Sequence, residues 1–235
     1  YLFSIADNCC VENVVIHNKK NKKNCISTQV GCRMGCTFCA TGKSGFSRNL
    51  TASEMLAQIQ SAQKDLGIQI SNIVLMGMGE PLDNYQQVLR FLELVSSDEG
   101  MNIGMRHISV STCGIVDKIY DMANRKLQCT LSVSLHAPND NLRSQTMPIN
   151  KKWGVAQLLK ACKYYSDTTR RRISFEYAMI SGLNDSDAQA QELAGKLKGI
   201  LSHVNLIPVN DVTGNHYKKS STQRLHAFCS ILEKH

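Results

Sequence analysis

Gly31-Cys32-Arg33-Met34-Gly35-Cys36-Thr37-Phe38-Cys39 sets three thiols in a C-x3-C-x2-C spacing directly after an apolar, β-rich run at 25–30. Three thiolates carried by one loop can converge on a single centre. Iron–sulfur clusters are held by cysteine thiolates, as a rule one per iron, so three ligands on a four-iron cube leave one iron open to a cofactor or substrate. Gly31 and Gly35 remove side-chain bulk where the backbone must curl, and Phe38 can shield the centre from water. A structural zinc site is the competing reading. It requires a fourth nitrogen or sulfur ligand, and no second C-x-x-C or H-x3-H pair accompanies these three. Gly42-Lys43-Ser44 resembles the end of a phosphate-binding loop, but Thr37 stands where that motif needs its first glycine.

The pattern of β run, turn and helical stretch repeats outward from this loop. Further apolar runs fall near 72–77, 107–112, 129–135, 173–179 and 203–208. Helices are signalled by the capping-box pattern Thr51-x-x-Glu54 and by the apolar spacing of Val88, Phe91, Leu92 and Val95, with more expected near 152–167, 186–201 and 221–234. Strands separated by helices pair in parallel through right-handed crossovers, which predicts an α/β chain, either an open doubly wound sheet or an incomplete barrel. Functional groups then collect at the carboxyl ends of the strands. Residues 1–24 read as an N-terminal β extension: Glu12 to Ile16 forms a short strand paired antiparallel with the strand starting at Cys25, and a basic loop 17–24 joins them. Residues 25–235 read as a single globular unit, without repeats or linker-like tracts. The start without Met and the stop inside a helical pattern point to a piece of a longer protein.

Composition narrows the class. With 43% hydrophobic residues, 235 residues can bury a substantial core. No run approaches the roughly 18 apolar residues of a membrane span, and no signal peptide is visible, so a cytoplasmic protein is expected. Ten cysteines in a chain of this size and mixed composition fit thiols or cluster ligands better than a secreted disulfide scaffold. The charge is +8, concentrated at Lys19, Lys20, Lys22 and Lys23 and again at Arg170, Arg171 and Arg172. Such patches attract phosphate backbones, or they are solvated loops.

After the second strand, Met76-Gly77-Met78-Gly79-Glu80-Pro81-Leu82 is a turn where a ligand can approach the backbone with no Cβ in the way. A Rossmann methyltransferase would also carry a G-x-G, but near its first strand. Ser111 and Thr112, Ser134 and His136, and Asn210 stand at later strand ends and could ring one pocket. Each could equally satisfy the backbone of a turn.

The C-x3-C-x2-C loop after the first strand resembles that of the radical S-adenosylmethionine (SAM) superfamily. A more specific combination is Cys25-Ile-Ser-Thr-Gln-Val-Gly-Cys32, Cys39-Ala-Thr-Gly42, Met76-Gly-Met-Gly-Glu-Pro81 and Ser134-Leu-His-Ala-Pro-Asn139. It looks like the RlmN/Cfr family of RNA adenosine methyltransferases. The likeness continues through Met147-Pro-Ile-Asn150 and Leu206-Ile-Pro-Val-Asn210, from about Glu12 onward.

The resemblance implies an incomplete (β/α)6 barrel, a [4Fe-4S] cluster on Cys32, Cys36 and Cys39, and SAM held by Gly79, Glu80, Ser111, Ser134, Leu135, His136 and Asn210. It further implies adenine methylation in 23S rRNA and in some transfer RNAs, with electrons from a donor such as flavodoxin or ferredoxin, no membrane, and a disulfide bond in the cycle. Adenine C2 is not a nucleophile, so a radical route is required. In the family one SAM methylates a protein cysteine, a second activates that methyl group, and the resulting covalent protein–RNA adduct is resolved by a second cysteine. Cys25 matches the resolving cysteine and Glu12 the proton acceptor. Pro81 favours the C2-methylating branch over the C8 branch. The Ala-Cys-Gly-Gln segment of the methyl-carrying cysteine does not occur in this sequence, and the resemblance places that cysteine outside it. Cys229 reads as part of a packed helix, and Cys113 fits no family motif. Two other readings stay open: a different radical SAM enzyme, or a noncatalytic RNA-binding module with a structural cluster.

Overall fold

A computed structural model describes residues 1–5, 7–17, 22–210 and 216–234; Lys19 and Lys20 of the basic loop lie outside these. The chain divides into two compact units. The first comprises Tyr1–Arg33, Ser44–Thr112 and Leu127–Leu131, and the second Met34–Lys43, Cys113–Lys126 and Ser132–His235.

The first unit opens with β1 (Leu2–Ser4) and β2 (Cys10–Glu12), an antiparallel pair. The strands β3 (Val14–His17) and β4 (Lys22–Cys25) form a hairpin with Val14 opposite Cys25 and Ile16 opposite Lys23. The expected antiparallel pairing is therefore present from Val14 onward, but the strand expected over Glu12 to Ile16 is broken at Asn13, with Glu12 ending β2, and its partner begins at Lys22 and ends at Cys25. Lys22 and Lys23 are strand residues and not part of a loop, because their backbones complete the ladder. The run read as one strand over 25–30 is likewise two: β4 ends at Cys25, and β5 (Gln29–Gly31) pairs antiparallel with a later strand. Ser27 between them is fully buried, its N–H donating to Gln58 Oε1 at 2.9 Å. This side-chain bond replaces a ladder bond and turns the chain out of β4.

In the second unit, α1 (Ala40–Lys43) follows the cysteine loop. The first unit resumes with β6 (Phe46–Asn49), the partner of β5, and α2 (Ala52–Leu66). Thr51 caps that helix in a complete capping box with Glu54, as the sequence predicts. Next come β7 (Asn72–Leu75), parallel to β4, then α3 (Tyr85–Ser96), and β8 (Ile108–Thr112), parallel to β7. Ladder registers sort the sheet β3-β4-β7-β8 into two faces, since directly opposed residues share a side. Asn24, Ile26, Ile73, Leu75, Ile108 and Val110 are buried on one face. Met55, Ile59 and Ala62 of α2 and Val88, Phe91 and Val95 of α3 are buried in the same unit. Val14, Ile16, Lys23, Cys25 and Val74 alternate onto the other face, where burial is partial or lost.

The second unit contains α4 (Val116–Asn124), β9 (Thr130–Ser134, belonging here from Ser132) and α5 (Asp140–Thr146). These are followed by α6 (Val155–Thr169), β10 (Ile173–Met179), α7 (Asp187–Leu197), β11 (Ser202–Pro208) and α8 (Thr222–Glu233). The strand β10 is buried throughout and pairs in parallel with β9 and with β11. Such a strand usually reads as a continuous apolar run, but here Ser174 and Glu176 alternate with Ile173, Phe175 and Tyr177, and the two polar residues are buried together, with Ser174 Oγ donating to Glu176 Oε1 at 2.7 Å. Cys229 lies on α8 beside the buried Phe228, the packed-helix placement its sequence suggests. Five of the expected β/α strand positions are occupied by β7, β8, β9, β10 and β11, and the first is displaced, since β4 precedes the expected run and shares only Cys25 with it. Among the described residues no helix is long and apolar enough to cross a membrane.

Candidate radical SAM site

In the first unit, the glycine turn after β7 packs against the segment after β4. A Cβ on Gly77 would lie 2.7 Å from Ser27 Oγ, and one on Gly79 would lie 2.5 Å from Gln29 Cβ. Gly79 also has φ +102°, a backbone conformation that L side chains resist. Both glycines are thus required by close approach of protein to protein. Thr28 and Gln29 donate their backbone N–H groups to Met78 O at 2.9 and 3.2 Å, and Glu80 N–H donates to Gln29 Oε1 at 2.8 Å. Glu80 is buried, and its Oε1 accepts from Leu82 N–H at 3.0 Å. The carboxylate is therefore held by its own turn. Ser111 is buried within β8 and not after it, since the strand runs to Thr112.

Cys25 is half-buried at the end of β4, hydrogen-bonded to the Met76 backbone, and burial pushes its thiol pKa up. Glu12 is exposed. Its N–H lies 3.4 Å from Met78 Sδ, and its carbonyl accepts from Ser27 Oγ at 2.5 Å, while Ser27 Oγ in turn accepts from Met78 N–H at 2.8 Å. Ser27 thus ties the strand bearing Glu12 to the glycine turn. Two residues after Glu12, Val14 stands opposite Cys25.

The division between units falls inside the cysteine loop, so Cys32 belongs with the first unit and Cys36 and Cys39 with the second. Cys32 N–H donates to Gly45 O at 2.7 Å, and a Cβ on Gly31 would lie 2.0 Å from that same oxygen. Cys39 N–H donates to Cys36 O at 3.1 Å, closing a turn over which Gly42 leaves no space for a Cβ. Among the described residues no three His, Cys, Asp or Glu side chains are gathered as a metal-ligand set. All ten cysteines are thiols. The loop fits a cluster on two observations: its donors are soft thiols, and its curl is tight at Gly31, where a methyl group does not fit, and left-handed at Gly35, φ +67°, where a Cβ would find room.

The second unit holds Ser134, Leu135, His136 and Asn210. Leu135 and His136 both donate N–H to Glu176 O, extending β9 alongside β10. His136 has φ +57° and is buried; its Nδ1 accepts from Ala178 N–H at 2.9 Å. Burial first, and the Arg143 charge second, hold its pKa down to about 3, so the ring is neutral with its proton on Nε2. Phe38 of the cysteine loop packs edge-on against this ring at 4.8 Å. Asn210 is exposed just after β11.

Arg143 on α5 is a residue that sequence reasoning misses. It is fully buried, and it donates to Leu135 O (3.1 Å), Ser134 O (3.0 Å), Cys113 O (2.6 Å) and Asn150 Oδ1 (3.1 Å). It locks the ends of two strands through their carbonyls. The same helix end accepts Thr37 N–H at Thr146 O, 2.9 Å, which anchors the loop between Cys36 and Cys39. A lone cation in a polar helix gives no sequence signal of such burial.

The Radical SAM superfamily description matches residues 26–194. A probable dual-specificity RNA methyltransferase RlmN of Clostridium tetani is 53% identical over 234 residues, 100% of this chain and 67% of that protein. One of Alkaliphilus oremlandii is 52% identical over 234 residues, covering 100% of this chain and 68% of that protein. The crystal structure of a radical SAM methyltransferase from Sphaerobacter thermophilus superposes with a TM-score of 0.96 at 45% identity, over 99% of this chain and 69% of that one. The fold is therefore the incomplete radical SAM barrel, and the cofactors of such proteins are a [4Fe-4S] cluster and SAM. The chain belongs to the radical SAM superfamily and, within it, to the RlmN family of RNA methyltransferases.

Proposed function

We propose that this protein methylates carbon C2 of adenine in 23S rRNA and in transfer RNA, by way of a methyl group first carried on a protein cysteine. The observation that carries this reading is the placement of Cys25: half-buried on the open face of the sheet, opposite Val14, which follows Glu12 by two residues in the chain. In this reading Cys32, Cys36 and Cys39 hold the cluster, and the cluster with SAM supplies the one-electron chemistry that a non-nucleophilic carbon demands.

The protein's own groups do the rest. In this reading Gly79, Glu80, Ser111, Ser134, Leu135, His136 and Asn210 are the residues that bind SAM. Neutral His136 offers its Nε2 proton as a hydrogen-bond donor. Glu12 takes the proton from C2 once the adduct has formed, a role that requires hydrogen-bond reach to the base. Cys25 then releases the product: its sulfur attacks the carrying cysteine's sulfur, an S–S bond forms as the S–CH2 bond breaks, and the bonding pair stays on the methylene carbon, which takes a proton to become the methyl group of the product while the two cysteines are left oxidised as a disulfide. Because burial raises its pKa, Cys25 waits as a thiol, and its attack is coupled to loss of that proton.

The test uses the full-length protein, reconstituted anaerobically and reduced by flavodoxin or ferredoxin, with SAM and RNA. About four irons and four sulfides per chain are expected, and nucleoside mass mapping should find 2-methyladenosine. Methylation at C8, or none on any RNA, overturns the reading; stoichiometric zinc without sulfide overturns its cluster.

A further inference from the structure

The open face of the β3–β4 hairpin carries more apolar surface than the chemistry at Cys25 requires. Val14 and Ile16 are 54% and 52% exposed, and Met76, just past β7, is 42% exposed. Isolated exposed aliphatics are ordinary, but these lie on one face around a thiol, and such clustering marks a docking surface. The face is polarised along the hairpin. Its reactive end holds Val14 and Cys25, with Glu12 two residues away; its far end holds Ile16 opposite the exposed Lys23, with Lys22 next in the strand. Two residues of strand separate the ends by about 7 Å, twice the roughly 3.4 Å stacking repeat of a nucleic-acid strand. That distance suits a neighbouring nucleotide unstacked from the reacting base.

Resting on the functional reading above, we infer that Ile16 and Lys23 form a subsite for the nucleotide flanking the target adenosine. Ile16 supports the flanking base by apolar contact, and Lys23 neutralises its phosphate. Single-stranded RNA is recognised through unstacked bases laid on side chains and phosphates met by cations, and the hairpin offers both groups on one face. The total charge of +8, with Lys22 and Lys23 at the far end of the face, favours a polyanion over an apolar segment as occupant, and the functional reading makes that polyanion RNA.

The experiment uses full-length protein and a synthetic 23S rRNA hairpin containing the target adenosine. Ile16→Ser should raise the KM for the hairpin about tenfold, the scale of one lost base contact. Lys23→Gln should raise KM and reduce the slope of log affinity against log salt by about one, and Lys23→Arg should restore both. Melting temperatures report whether each variant is folded. If wild-type protein methylates the hairpin while the Ile16→Ser and Lys23→Gln variants match its KM and salt slope, the subsite is wrong and the functional reading stands. If wild-type protein neither binds nor methylates any RNA, both fall. Amides of residues 14–17 that are already protected from hydrogen exchange without RNA, and unchanged on adding it, would show that the protein itself covers this face, which also overturns the subsite.

Discussion

The surroundings of Cys25 in the first unit and of His136 and Arg143 in the second place reactive groups by opposite means. Around Cys25 the polar atoms are half-open and the apolar side chains Val14, Ile16 and Met76 face solvent. Around His136 the groups are buried: the neutral imidazole accepts from Ala178 N–H, and the Arg143 guanidinium donates to strand-end carbonyls. In the proposed function the first arrangement is the one open to a large partner, and the second holds a backbone in a shape it would otherwise leave, including φ +57° at His136. A surface that must admit a substrate gives up burial, whereas a surface that must stay fixed uses buried hydrogen bonds.

The comparison breaks most readily at Arg143. Arg143→Met removes the donor that meets the carbonyls of Cys113, Ser134 and Leu135, and each buried carbonyl that loses its hydrogen bond costs about 1–3 kcal/mol. A total of roughly 3 kcal/mol or more lowers the melting temperature by about 6–12 °C, measurable by calorimetry. Gly79→Ala comes next: its Cβ meets Gln29 at 2.5 Å in a conformation that alanine resists. We expect about 2–3 kcal/mol of destabilisation and weaker SAM binding by titration calorimetry.

His136 gives a pH signature. Its folded pKa of about 3 lies below the ordinary value of 6.5, so the unfolded chain binds the extra proton. Stability is therefore full above about pH 6.5 and falls by up to about 1.4 kcal/mol per pH unit below it. Denaturant titrations of wild type and His136→Gln between pH 7 and 5 should show this slope only in the wild type.

The sequence made five of the six β/α strand positions legible because parallel strands leave apolar runs, and it made the cysteine loop and glycine turn legible because their chemistry tolerates few residue types. Other features left no local trace. The break between β4 and β5 depends on Gln58, which lies 31 residues from Ser27. Ser111 falls inside β8 because the ladder extends past the residues that pattern alone can place. Arg143 resembles any surface arginine until the strand ends it binds are seen. The two-faced character of β3 was partly readable: Val14 and Ile16 alternate with Val15, but three apolar residues in a row do not say which face stays open.

The central claim is that Cys25 resolves a protein–RNA adduct on the open face. Cys25→Ala in the full-length protein, incubated with SAM, reductant and substrate RNA, tests it most directly. The melting temperature should move by no more than about 2–4 °C, since a half-buried thiol contributes about 1 kcal/mol or less. RNA should accumulate covalently bound to the protein, visible as a band shifted on a denaturing gel and removed by nuclease. Release of free methylated RNA at the wild-type rate, with no adduct, would contradict the account.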